Sequence, residues 1–73
     1  MSKIEIFRDV NDDELRYIYE QILKGRREGV RPRCLERYIK KVREAYPTLD
    51  FGEAWRYAEG LFWVEVGRRY FEN

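Results

Sequence analysis

The stretch NDDELRYIYEQILKG, residues 11–25, decides the fold. Asn11 is a natural helix cap, Glu14 stands three residues on as in a capping box, and Val10 and Leu15 hold the two positions of a hydrophobic staple. A helix therefore begins at Asp12. Leu15, Ile18, Tyr19 and Ile22 then recur at spacings of three and four, which places one apolar stripe on an otherwise charged surface. Gly25 is the natural residue to close this helix, so the reading gives a helix over 12–24 and a turn over Gly25–Gly29.

Working outward, Pro32 suits the first position of a second helix, which runs over 32–46 and stops before Pro47. Leu35, Tyr38, Ile39, Val42 and Tyr46 form its buried stripe. Asp50 and Glu53 repeat the cap-and-box spacing, with Leu49 stapling onto Ala54, and open a third helix over 50–71. Toward the N-terminus, residues 3–10 alternate, with Ile4, Ile6 and Val10 on one face and Lys3, Glu5, Phe7 and Asp9 on the other, the pattern of a short extended segment or strand. The expected fold is mainly α, a small three-helix domain with a short extended N-terminal segment.

The chain has 73 residues and 9.0 kDa, enough for one small domain. Apolar residues make up 44% and charged residues 40%, so a core can form although mean hydropathy is low, at −0.79. The longest apolar run, Leu61 to Val64, is far short of the roughly 20 residues of a membrane span. No export signal opens the chain and Cys34 is the one cysteine, so a cytoplasmic, non-membrane protein without disulfides is expected.

Catalysis is disfavoured by composition. There is no histidine, and Ser2, Thr48 and Cys34 are the sole residues of their types, so no nucleophile with a histidine base can be assembled. Asp12, Asp13 and Glu14 are consecutive and fan over about 200° of a helix, which suits a helix start better than a cation. Neither a zinc ligand set nor a glycine-rich phosphate loop exists, so the reading is non-enzymatic, without metal or cofactor.

Charge is uneven although the net value is only +1. Residues 21–45 hold nine basic and three acidic side chains. Arg26, Arg27, Arg31, Arg33, Arg37, Lys40 and Lys41 are the candidate anion-binding residues, set around the turn and along the second helix. A solvated helix face whose cations pair with nearby acids is the competing reading. Paired N-terminal strands entering the DNA major groove do not fit, since their groove-facing side chains, Lys3, Glu5, Phe7 and Asp9, include two carboxylates that would repel DNA.

The third helix carries two apolar stripes. Phe51, Ala54, Trp55, Ala58, Leu61 and Phe62 suit a core. Tyr57, Gly60, Val64, Gly67 and Phe71 lie on another face, where glycines that each weaken a helix by about 1 kcal/mol signal a close approach to the backbone. That face is the candidate interface of a homodimer. Trp63, about 80° round from Trp55, either anchors a partner or packs on the N-terminal segment. The leading function is a small non-catalytic regulatory or binding protein, homodimeric, engaging an anionic partner, foremost nucleic acid. The alternative is a protein–protein adaptor or inhibitor using the aromatic face of the third helix, without a nucleic-acid role; an acidic protein is the other anionic partner considered.

Overall fold

Three helices form in chain order in the computed structural model, which describes residues 5–71: α1 over Asp12–Glu28, α2 over Glu36–Ala45 and α3 over Phe51–Tyr70. A single 3-10 turn, Arg33–Leu35, follows Pro32 and leads into α2. There is no strand among the described residues. Both expected caps form. Asn11 Oδ1 accepts from the Glu14 N–H at 2.8 Å, and Asp50 with Glu53 closes a reciprocal capping box at 2.8 and 3.0 Å.

The N-terminal segment is not extended. Ile6 to Asp9 make a turn, in which the Arg8 and Val10 N–H groups donate to the carbonyls of Glu5 and Phe7. Lys3 and Ile4, the start of the expected segment, lie outside the described residues. Phe7, which alternation assigned to the polar face, is 1% exposed, stacked on Tyr38 at 4.4 Å and edge-on to Phe62 at 5.5 Å. A lone strand has no ladder partner, whereas a turn lets the largest side chain of the segment reach an aromatic slot between α2 and α3.

The end of α1 also differs from expectation. The helix passes through Gly25 and stops at Gly29, whose φ of 69° is left-handed. Gly25 is needed for a different reason. The Val30 N–H donates to its carbonyl at 2.8 Å, the chain doubles back across it, and an added methyl would strike the Val30 carbonyl oxygen. So the expected turn over Gly25–Gly29 is the last turn of α1, and the reversal falls at Gly29 and Val30.

The buried core draws on every element: Phe7; Leu15, Ile18 and Ile22 of α1; Leu35, Tyr38, Ile39 and Val42; and Ala54, Ala58, Phe62 and Val66 of α3. Ala54 and Ala58 are fully buried and small, which suits close packing of α3 against α2. The core stripe of α3 is narrower than its apolar pattern suggests. Phe51 is 45% exposed and Trp55 only half-buried, because both extend past the edge of α2 toward the α1–α2 connection.

Two stability predictions follow from this packing. Phe7→Ala should lower unfolding free energy by about 3–5 kcal/mol, the cost of emptying a filled aromatic site, and Trp55→Ala by clearly less; urea denaturation of both variants compares them. A loss below about 1 kcal/mol for Phe7→Ala would mean that the N-terminal turn does not close the core. Gly25→Ala should destabilise despite its better helix propensity, while Gly60→Ala, with open space around the new methyl within the chain, should stabilise the single chain, at concentrations too low for pairing, by about 1 kcal/mol.

Candidate anion-binding surface

The turn at Gly29 carries the chain from the end of α1 across the flank of α3, and this path sets the positions of the candidate cations. All of Arg26, Arg27, Arg31, Arg33, Arg37, Lys40 and Lys41 are exposed. Among the described residues only Arg26 reaches a carboxylate, donating from Nη2 to Glu59 Oε2 at 3.2 Å. Direct ion pairing with a nearby acid is thus seen for Arg26 alone of the seven, and all seven lie in solvent. Arg26 and Arg27 also occupy the last turn of α1, where cations complement the carbonyl end of the helix.

Aromatic rings, rather than carboxylates, position several of these cations. The Arg31 guanidinium lies 5.5 Å from the ring centres of both Phe51 and Trp55, and that of Arg26 lies 5.5 Å from Trp63. Arg37 and Lys41 stand over Tyr38 at 5.3 and 5.6 Å. The set divides in two. Arg37 and Lys41 line a groove of about 440 Å³ together with Glu5, Asp9 and Glu14, so acids share their surroundings. Arg26 and Arg31 line a smaller groove of about 230 Å³, walled by Pro32 and Trp55, in which the one acid is Glu59, already held by Arg26.

The residues expected at an interface do not share one environment. Tyr57 turns toward α2, half-buried, with its ring 5.3 Å from that of Tyr46. A hydrogen bond with Tyr46 raises its phenol above the ordinary range. Gly60, Val64 and Phe71 are exposed, Val64 at 68% and Phe71 at 80%, Gly67 is half-buried, and among the described residues no atom lies within 4 Å of where a Cβ would stand on Gly60 or Gly67. Trp63 packs against α1 rather than the N-terminal segment, edge-on to Tyr19 at 5.6 Å.

The tightest polar cluster escaped the sequence reading. Arg69 donates from Nε to Glu65 Oε2 at 2.5 Å, from Nη1 to Asp12 Oδ1 at 3.1 Å, and from Nη2 to the carbonyls of Phe7 and Arg8 at 3.1 and 2.9 Å. Tyr70 Oη adds a bond to Asp12 at 2.8 Å, and Arg68 joins Glu65 at 2.6 Å. One guanidinium thus fastens the end of α3 to the start of α1 and to the turn that carries Phe7. Burial pushes the Glu65 carboxyl up, but its bonds and charge interactions with Arg68 and Arg69 outweigh this and hold it below the ordinary range. The Tyr70 hydroxyl, with help from Arg69, likewise lowers Asp12.

Cys34 is half-buried and burial raises its thiol, which keeps it protonated at neutral pH. No group of three or more potential metal ligands occurs among the described residues. No protein-family model matches the chain, and searches of curated proteins and of solved structures found no significant match.

Arg69→Met should cost about 2 kcal/mol, since the Arg8 carbonyl loses its donor and the Phe7 carbonyl, Glu65 and Asp12 each lose one of two or more, and should cost more than Arg68→Met. The pH dependence has a definite sign. Folding holds Glu65 ionised more firmly than the unfolded chain does, so its contribution is complete at neutral pH and is lost as pH falls below the ordinary glutamate value of about 4.3. The urea midpoint should drop between pH 7 and pH 3, and Glu65→Gln should flatten that drop; an equal drop in the variant would place the acid sensitivity elsewhere.

Proposed function

We propose that this protein is a non-catalytic binding protein that holds a polyanion, nucleic acid in the first place, on the cations of the α1–α2 connection. The observation that carries the reading is that Arg27, Arg31 and Arg33 are exposed and make no ion pair among the described residues. Lys40 extends this set along α2. Arg37 and Lys41 contribute less, because Glu5, Asp9 and Glu14 share their groove and would repel a phosphate chain. Cations already neutralised by carboxylates would have little to offer a phosphate; these are not.

Self-association belongs to the same proposal. Gly60, Val64, Gly67 and Phe71 follow one another along the side of α3 turned away from the core, and two apolar side chains there stand largely in water. A symmetric pairing of α3 helices would cover them, with the glycines permitting close axes. The second reading, an adaptor that uses this face for a different protein, draws on the same exposure of Val64 and Phe71.

The test of the first reading is fluorescence anisotropy of a labelled nucleic-acid duplex at 50 and 200 mM salt. With about four phosphates contacted, affinity should fall on the order of 100-fold between the two conditions. Replacing Arg27 and Arg33 by Glu should remove most binding and lower the salt slope by about two, with the helical circular dichroism retained. Absence of binding by the wild type at 50 mM salt would remove nucleic acid and leave the adaptor. Sedimentation equilibrium of the wild type, Gly60→Leu and Gly67→Leu tests the pairing: the wild type should exceed 9.0 kDa and both variants return toward it. A wild-type mass that stays at the chain value would refute the dimer.

A further inference from the structure

The polyanion reading leaves open which form of nucleic acid fits, and the aromatic residues beside the cations bear on this. Phe51 and Trp55 are four residues apart on α3, so their Cα atoms are about 6 Å apart along the helix axis, one turn on the same flank. Phe51 is 45% exposed and Trp55 half-buried at the rim of a groove. The Arg31 guanidinium stands over both, 5.5 Å from each ring centre, one planar cation shared by two planar rings. Its charge is not matched by a carboxylate among the described residues. What distinguishes these two rings from the other exposed aromatics is that they share one unpaired guanidinium.

We infer that Phe51, Trp55 and Arg31 form a stacking platform for unpaired bases, so that the preferred ligand of this surface is single-stranded nucleic acid. This rests on the polyanion reading above and names its ligand class. Every base has a π-face that can lie on an aromatic ring or a guanidinium plane, and that face is available only where the strand is not stacked inside a duplex. Arg27 and Arg33 flank the platform in sequence and supply the charge for the backbone. A duplex can use those cations but cannot deliver its bases to the rings. Charge complementarity and stacking surface therefore coincide at one end of the molecule, where α3 begins and α1 ends. The acids of the groove do not oppose this arrangement, since Glu59 is engaged by Arg26.

The experiment compares a labelled 15-nucleotide oligothymidylate with a 15-base-pair duplex at one salt concentration, for the wild type, Phe51→Ala, Trp55→Leu and Arg31→Lys. The exposed Phe51 site tolerates truncation, and Arg31→Lys retains the charge while removing the plane, so these two variants keep the test valid if Trp55→Leu fails to fold. The single strand should bind the wild type more tightly, and each variant should lose roughly 5-fold to 100-fold in single-strand affinity, the range for one stacked base, with duplex binding unchanged. Equal binding of both nucleic acids, with variants that weaken neither, would overturn the stacking platform and leave the polyanion reading in place. Binding of neither would overturn that reading and the platform with it. Polyglutamate bound as tightly as the oligonucleotide would also overturn the platform, in favour of an acidic protein partner.

Discussion

The guanidinium of Arg69 joins three parts of this chain that no regular hydrogen-bonding pattern connects. It donates to Glu65 on its own helix, to Asp12 in the first turn of α1, and to two carbonyls of the turn before α1. Without those bonds, the Arg8 carbonyl would have to find another donor, and the Phe7 carbonyl would keep only the Val10 N–H, in a segment that has no strand partner. Such a segment gains little from staying ordered, since each residue fixed costs about 1–2 kcal/mol of backbone entropy. Arg69 and the buried ring of Phe7 offset that cost together. Phe7 in turn fills the space between Tyr38 and Phe62, so the seal of the core at this end depends on one charged side chain.

The two ends of the molecule consequently differ in how their charges are used. Where α3 ends, Arg69 is engaged with Glu65, Asp12 and two backbone oxygens and the half-exposed Arg68 with Glu65, and they serve the fold. Where α1 ends, the cations lie on aromatic rings or extend into solvent, with Glu59 the one acid bonded to them among the described residues. Cation–π contacts orient an arginine without neutralising it. That distinction separates a structural cation from one that remains free to bind a phosphate, and it is invisible in net charge, which is +1 for the whole chain.

Much of the architecture was legible because it is local. The caps at Asn11 and Asp50 and most of the stripes of α1 and α2 depend on residues three or four apart, and the structure repeats them, except that Tyr19 of the expected α1 stripe is exposed and Tyr46 of the α2 stripe half-buried. What the sequence hid is long-range. The turn at Phe7 exists because of residues more than fifty positions away, and alternation over eight residues imitated a strand. Gly25 looked like a cap because glycine ends helices, whereas the returning chain at Val30 is what requires it. The candidate cations were found by density along the chain, but their division into two groups follows from the acids of the N-terminal turn and of α1 folding beside Arg37 and Lys41. The platform residues Phe51 and Trp55 were assigned to the core because helical periodicity cannot tell where a neighbouring helix stops covering a stripe.

The central claim is that the free cations and rings at the α1–α2 connection form the binding surface of this protein. Amide and indole chemical shifts of the 15N-labelled chain, followed during titration with a short single-stranded oligonucleotide, test it most directly. The account predicts shifts concentrated in Arg27 to Arg33 and at the Trp55 indole, with the Arg69 cluster unmoved. Shifts confined to Val64 and Phe71, or an unchanged spectrum at saturating oligonucleotide, would contradict it.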